Sequence, residues 1–328
     1  MKNLKLAAVC LSCLTMTGCS ALNFSVEGLI NAPKLTSEQS EIHQALIESV
    51  GSNITLKYPK NGEYRSAYVI ANIDDEPTDE AMVFYEYTSN GSEEDGLRVN
   101  ILDKDEKGKW YSVKELAGAG TDIDQVIISP MGSNNQTDVF VGYQNLTNDE
   151  KTMEIYSYTD GDFKRVALDT YSVLEPLDIN NDGYIELITI QRSTNNDTGA
   201  VTAKASMLNM KNNEITRGEN VDMCDNVTSY VSSKTGMLDS GRRAIFIDGL
   251  TADGKLQTEI IYYRYSGLQN PMQLRSEKLL PLCTRPAGYY SEDMDGDGDV
   301  EIPSTSPMVG YENAVADEML YMLSLIHI

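Results

Sequence analysis

The sequence predicts an all-β chain of repeated four-stranded units, and three observations carry that prediction. The first is internal spacing. Runs beginning EAMVFY, DVFVGY, ELITI, AIFIDGL and EIPST recur at positions 80, 138, 186, 244 and 301, in steps of 58, 48, 58 and 57. Most are β-branched or aromatic, as strands are; IPST, with its proline, is the weakest. The second is a shared plan between these runs. GLRVNILD turns through KDEKGK into WYSVKEL, TMEIYSYT through DGD into FKRVAL, AKASMLNM through KNN into EITRGE, and TEIIYYRYSG through LQNP into MQLRSEKL. A leading strand precedes the later units: QVIISP, SVLEPL, or the stretch around TSYVSS. The third is size. Four strands in roughly 50 residues is the dimension of a β-propeller blade, whereas helical repeats and short-coil solenoids need other periods. The expected architecture is therefore an all-β β-propeller of four-stranded blades, about five units being visible over residues 52–322.

Ahead of the repeats, residues 36–51 read as the one N-terminal helix. Thr36 can cap it with Gln39 reaching back, and Gly51 stops it. Ile42, Ala45, Leu46 and Val50 recur at helical spacing and need a surface to dock on, such as the propeller's side or mouth. His43 lies beside that face and is expected at the solvent surface.

Residues 1–18 have the outline of a lipoprotein signal peptide. Lys2 and Lys5 give a positive start, LAAVCLSCLTM an apolar core too short for a membrane span, and Thr17 and Gly18 lead to Cys19. This resembles a bacterial lipobox, with Met16 where leucine is usual. Cys19 is then the lipid acceptor, residues 19–35 are a tether, and the expected location is the extracellular face of the bacterial membrane. At the other end, LSLIHI (residues 323–328) resembles translated adapter sequence and is expected to be a non-native tail on a shortened chain.

Composition narrows the function. The 328 residues carry 50 acidic against 26 basic side chains, a net charge of −24, which disfavours nucleic acid as a partner and favours cations. Only two histidines are present, His43 and His327, so a histidine triad, a histidine-ligated zinc and a histidine general base are close to excluded. Cys224 and Cys283 are the cysteines left after the signal and Cys19; two thiols make no disulfide framework, and separate burial is preferred to pairing.

The acidic loops carry the chemistry. In LDINNDGYIEL, Asp178, Asn180 and Asp182 place oxygens at alternate positions, Gly183 permits a sharp turn, and the Tyr184 carbonyl and Glu186 carboxylate complete a hard-oxygen cage suited to Ca²⁺. An EF-hand is excluded because its twelfth position is Thr189 and a strand follows. DMDGDGDVEIP repeats the pattern with Asp293, Asp295, Asp297, Asp299 and Glu301 around Gly298. NIDDEPTDE fits with changes: Asn72, Asp74, Glu76 and Glu80 align, while Pro77 replaces the glycine. PMGSNNQTD keeps only Asn134 and Asp138, and GMLDSGRRA ends in Ala244, with Arg242 and Arg243 offered as a positive charge in place of a cation. Carboxylates packed this closely repel by about 1 to 3 kcal/mol per pair at a surface dielectric, a cost that a divalent ion removes.

Loops of the form D-x-[DN]-x-D-G-x-x-[DE], each feeding a strand at blade spacing, resemble the FG-GAP or VCBS-type repeats of integrin-α-like β-propellers. With PKLTSEQSEIHQAL and LKYPKNGEYRSAYV, the lipobox looks like that of clostridial lipoproteins carrying such repeats. The resemblance covers roughly residues 55–322 and implies structural metals that brace blades. If the family's usual seven blades apply, five units leave the ring open.

Tyr64, Tyr68, Tyr171, Tyr230, Tyr289 and Tyr290 cluster before the loops, at a mouth or at packing seams between blades, and Trp110 reads as hairpin packing. No carboxylate pair outside the loops stands out. The expected function is a membrane-anchored, calcium-braced, non-catalytic binding protein for a protein or glycan ligand. A hydrolase or lyase acting on an envelope or dietary polymer, and an accessory subunit of an envelope complex, are the alternatives.

Overall fold

Strand pairing follows chain order almost without exception, so each sheet is a local antiparallel meander. The computed structural model describes residues 35–88, 96–130, 137–145, 150–194, 201–211, 214–238, 241–270, 284–304 and 321–323. Cys19, the signal and most of the tether, Asn134, Cys283 and residues 324–328 lie outside them. In the first sheet β2 (Tyr68–Ala71), β3 (Glu80–Tyr87), β4 (Leu97–Lys104) and β5 (Trp110–Ala117) run in sequence, and the short β1 (Ile54–Leu56) pairs with the far end of β3. The second sheet is β6 (Asp122–Pro130), β7 (Thr137–Gln144), β8 (Lys151–Thr159) and β9 (Asp162–Tyr171). The third is β10 (Val173–Leu177), β11 (Glu186–Thr194), β12 (Val201–Lys211) and β13 (Glu214–Asp222). The fourth is β14 (Val227–Leu238), β15 (Arg242–Thr251), β16 (Lys255–Arg264) and β17 (Gly267–Gln269), with β18 (Thr284–Pro286) added to β16. A two-stranded fifth pairs β19 (Ile302–Ser304) with β20 (Tyr321–Leu323).

Alternation along the central strands gives each sheet two apolar faces, and consecutive sheets share them. Met82, Phe84 and Ile101 of the first sheet pack with Val126, Val139 and Val141 of the second. Phe140 and Ile155 of the second meet Leu174, Leu187 and Leu208 of the third. Ile188 and Ile190 meet Ile245 and Ile247 of the fourth, whose other face turns Ala244 and Phe246 towards Val300 and Ile302 of the fifth. The chain is thus all-β, with four-stranded antiparallel sheets stacked face to face in sequence order.

The remaining face of the first sheet is covered by α1 (Ser37–Val50). The capping box is made as expected: the Gln39 N–H donates to Thr36 Oγ1 and the Thr36 N–H to Gln39 Oε1, each at 3.1 Å. Ile42, Ala45 and Leu46 are buried against Ala81, Val83, Leu102 and Trp110, which fixes the helix on the side of the stack. Burying Ile42 and Leu46 contributes about 1.5–3 kcal/mol each. His43 departs from expectation. It is half-buried, with Nδ1 2.9 Å from the Tyr68 hydroxyl, because the docked face carries it over β2.

The fourth hairpin also differs from the sequence reading. The register Arg264↔Gly267 leaves Tyr265 and Ser266 as a two-residue turn with φ of 54° and 60°, the doubly left-handed geometry that suits a twisted hairpin. Asp160 and Gly161 make the same turn at φ of 55° and 76°. No glycine marks the Tyr265–Ser266 turn, so the sequence points to LQNP instead; MQLRSEKL lies outside the described residues. Among those residues, no helix is long and apolar enough to cross a membrane.

Candidate metal centres and an inter-sheet cavity

Three acidic loops, leading into β3, β11 and β19, share one closure. The Ile73 N–H donates to Glu80 Oε2 at 2.8 Å, the Ile179 N–H to Glu186 Oε2 at 3.1 Å, and the Met294 N–H to Glu301 Oε2 at 2.8 Å. In each loop the closing glutamate, buried at the strand start, folds back onto the residue after the first oxygen donor. Two loops also share their turn. Gly183 and Gly298 have φ of 93° and 96°, a region that favours glycine, and their N–H groups donate to Asp178 Oδ2 at 3.2 Å and Asp293 Oδ2 at 3.0 Å.

The loops differ in how far their donors converge. Carboxylate oxygens of Asp293, Asp295 and Asp297 lie within 4.8 Å of one another, the single such group of three among the described residues. The Asp299 N–H donates to Asp297 Oδ1 at 2.9 Å. The set holds hard oxygens and no histidine or thiol, which fits a cation such as Ca²⁺. In the third-sheet loop the donors are partly spent on each other. Asn180 Nδ2 donates to Asp182 Oδ2 at 2.9 Å and to Glu186 Oε1 at 2.8 Å, and the Tyr184 N–H donates to Asp182 Oδ1 while its ring is exposed. Burial pushes Glu186 above the usual carboxylate range; the Ile179 N–H opposes this, and the charges of Asp182 and Asp178 add to it.

Arg243 corrects a sequence expectation. Its guanidinium supplies a positive charge, but to the neighbouring loop: Nη1 lies 3.0 Å from Asp178 Oδ2 and donates to the Asp178 carbonyl at 3.2 Å. The alignment placed Arg243 in its own unit's turn; packing of the fourth sheet on the third carries it across the seam.

In the first loop Pro77 has no N–H and cannot take the glycine conformation. Asn72 turns inward instead, its Nδ2 donating to the Glu76 carbonyl at 2.5 Å, while the Glu76 N–H donates to Asp74 Oδ1 at 2.8 Å. Glu80 is pushed up to about 7, chiefly by burial, with the Ile73 N–H opposing and the charges of Asp74 and Asp103 adding. In the second sheet, Asp138 is buried and accepts a hydrogen bond from Ser157.

The sequence reading missed a cavity of about 680 Å³ lined by β6, β10, β14 and the segment 61–64 before β2. Its walls are polar and charged: Glu63, Asp124, Lys151, Glu175 and Lys234, with Gln125 and Ser233. Asp124 is fully engaged, at 2.9 Å from Lys151 Nζ, accepting from Asn61 Nδ2 at 2.8 Å and from the Tyr171 hydroxyl at 2.6 Å. Glu175 accepts from the Ser233 hydroxyl; burial raises its pKa, Ser233 and Lys151 oppose, and Asp124 adds. Two carboxylates outside the loops, Asp124 and Glu175, thus line one cavity; they are 51 positions apart by number, on adjacent sheets, and no local pattern joins them. Of the clustered tyrosines, Tyr64 and Tyr230 line this cavity, Tyr68 and Tyr171 are buried, and Tyr289 and Tyr290 are exposed. Cys224 is a free, buried thiol raised by burial and by Glu259.

No protein-family model matches the sequence, and no curated protein matches it. Similar solved structures include a rhamnogalacturonan lyase of Bacillus licheniformis, 9% identical, with a TM-score of 0.36 over 75% of this chain and 59% of that one. A Bacteroides fragilis protein described as a 6-phosphogluconolactonase is 12% identical, with a TM-score of 0.35 over 82% and 80%. An exotype rhamnogalacturonan lyase is 9% identical, with a TM-score of 0.35 over 75% and 56%. The chain spans under two thirds of the length of both lyases.

Proposed function

We propose that this chain is a β-propeller held outside a bacterial membrane by a lipid on Cys19, braced by Ca²⁺ in its acidic loops, and acting as a non-catalytic binding protein for a protein or glycan ligand. The observation that carries the binding reading is the cavity at the leading strands. Two of its carboxylates are already held by neighbouring side chains, Asp124 by Lys151, Asn61 and Tyr171, and Glu175 by Ser233. Groups fixed in this way present a rigid polar surface, which favours recognition. Serial face-to-face packing of four-stranded sheets supports the propeller, and the shared glutamate closure supports treating the three loops as one kind of site.

A glycan and protein array probed with the full chain in calcium tests the reading. Retained binding that weakens in Lys234→Ala, with no polymer turnover, is the expected result. One observation favours a hydrolase or lyase as a second reading: Asp124 and Glu175 share a cavity, and burial disfavours the charged form of Glu175. Turnover of a polymer that vanishes in Glu175→Gln, with the fold retained, would replace the binding reading with that one.

A further inference from the structure

The charges on the cavity wall are unevenly paired. Five charged side chains line it, the carboxylates Glu63, Asp124 and Glu175 and the lysines Lys151 and Lys234. Each lysine already has a carboxylate beside it: Lys151 Nζ lies 2.9 Å from Asp124 Oδ1, and Lys234 Nζ lies 3.6 Å from Oε1 of Glu292, the residue before Asp293. Glu63 and Glu175 form no ion pair among the described residues.

Those two acids stand on different elements. Glu63 belongs to the segment before β2 and is exposed. Glu175, on β10, is partly buried; its Oε1 accepts a hydrogen bond from the Ser233 hydroxyl, and its Oε2 has no hydrogen-bond partner among the described residues. Burial, the largest effect, raises its pKa; Ser233 and, from a distance, Lys151 and Lys234 oppose this, while Asp124 adds to it. A partly buried carboxylate without an ion-pair partner is stabilised by any cation that can reach it. The wall therefore has its cations engaged and acceptors left over. It also offers hydroxyls, since the Ser172 and Ser232 side chains make no hydrogen bond among the described residues. The net charge of −24 draws cations towards the protein as a whole.

We propose that the cavity binds a glycan carrying free amino groups, with one ammonium on Glu175 Oε2, Glu63 adding attraction from the segment before β2, and the hydroxyls of Ser172 and Ser232 available to the sugar hydroxyls. This rests on the reading of the chain as a binding protein and names the chemistry of its ligand. Size favours a saccharide over a basic side chain of a peptide. About 680 Å³ falls in the range of about 300–1,000 Å³ that encloses a whole small ligand, whereas a lysine side chain is thin and brings no hydroxyl to the serines. Lys234 can still donate to a sugar hydroxyl, because an ammonium has three N–H groups and its pair with Glu292 is long.

Calorimetric titration of the full chain tests this with a glucosamine trisaccharide, its N-acetylated counterpart and a trilysine peptide, at a pH where the free amines are charged. Wild type is compared with Glu175→Gln, Glu63→Gln and Glu106→Gln, the last an exposed acid between β4 and β5, outside the cavity. Glutamine keeps the shape of Glu175 and an acceptor for Ser233, and circular dichroism checks each fold. The glucosamine trisaccharide should bind about tenfold or more tightly than the N-acetylated one, and Glu175→Gln should weaken it about tenfold, since a charge-assisted hydrogen bond is lost. Glu63→Gln should weaken it less, and Glu106→Gln by no more than about twofold. Should Glu175→Gln fail the fold check, the preference between the two trisaccharides and the loss in Glu63→Gln decide. Equal or tighter binding of the N-acetylated trisaccharide overturns the ammonium and leaves the binding reading standing. Tighter binding of trilysine overturns the proposal in favour of a basic peptide. Weakening by Glu106→Gln equal to that by Glu175→Gln shows attraction by overall charge alone and overturns it as well. If no probe binds, the proposal fails, and the binding reading fails with it only when the glycan and protein array is also silent.

Discussion

The third-sheet loop and the final loop begin from nearly the same sequence, yet the structure anchors them in opposite ways. The final loop is held from behind. Arg285 and Asp248, 0% and 1% exposed, form an ion pair at 2.7 Å, and Asp248 also accepts the Ser291 N–H at 2.7 Å, two residues before Asp293. The Met237 N–H donates to the Gly298 carbonyl at 3.2 Å from the other side. Its three aspartates are left facing solvent and one another. The third-sheet loop is held from the front, by the Arg243 guanidinium on Asp178. Among the described residues Asp293, Asp295 and Asp297 form no ion pair with a lysine or arginine, whereas Asp178 already has a protein cation beside it. If the loops bind an ion, this difference leads us to expect unequal affinities, set by what the neighbouring sheet presents.

The largest expected effect comes from breaking the rear anchor. Asp248→Ala would leave Arg285 charged and buried with the Thr258 hydroxyl and the Tyr289 carbonyl but no carboxylate, at a cost of about 3–5 kcal/mol. Chemical denaturation should report that loss, and a loss under 1 kcal/mol would show that the final loop does not depend on this pair. Next is removal of the donors themselves. With calcium at a hundredfold excess over its dissociation constant, one site stabilises the folded state by about 2.7 kcal/mol. Asp295→Asn with Asp297→Asn should abolish that gain at the final loop, while slightly raising stability in a chelator as exposed repulsion is relieved. Calcium-dependent melting that is unchanged in this variant would rule out the final loop as a candidate metal centre.

Much of this was legible in the sequence, and the reason is physical. The recurrence at 80, 138, 186, 244 and 301 falls within two residues of the starts of β3, β7, β11, β15 and β19, because each marks where a polar loop yields to a strand buried on both faces. Thr36 and Gln39 announced the helix start because a capping box is local. What escaped is what depends on packing between sheets. Arg243 reaches Asp178 across a seam, Asp124 and Glu175 come to line one cavity only when the second and third sheets pack together, and His43 is half-buried only because α1 docks over β2. The turn at Tyr265 and Ser266 escaped for another reason: neither residue carries a glycine's signature, and the register of β16 and β17 forces the left-handed conformation on them.

Acidity separates the loops in a further way. Glu80 is pushed up to about 7, and Glu186 is raised as well. A carboxyl group raised on folding binds its proton more tightly in the native state, so its contribution is complete below the unfolded value near 4.5 and is lost as pH rises through the folded value. The ion-free protein should therefore lose stability between pH 4.5 and about 7, the window that the Glu80 shift defines. Calcium, which needs the ionised form, should stabilise more at pH 8 than at pH 5. Melting curves in chelator and in calcium across that range check both signs, and a calcium effect that is equal at the two pH values would detach these glutamates from ion binding.

The smallest effect on stability, and the sharpest on the comparison, belongs to Arg243. The pair with Asp178 is partly exposed, its side chains 39% and 11% accessible, so Arg243→Gln should cost the ion-free protein no more than about 1 kcal/mol. Its effect on calcium has the opposite sign. The guanidinium lies 3.0 Å from Asp178 Oδ2 and sets a positive charge beside the loop's oxygens, so removing it deletes a repulsion that an incoming cation would meet. In a background carrying Asp295→Asn and Asp297→Asn, the third-sheet loop should then bind calcium about tenfold more tightly than with Arg243 present, a gain of about 1.4 kcal/mol. Calcium titration of the melting temperature in that background reads the change directly. An unchanged midpoint would mean that Arg243 braces the seam without competing for the site, and the two loops would then differ in their donors alone.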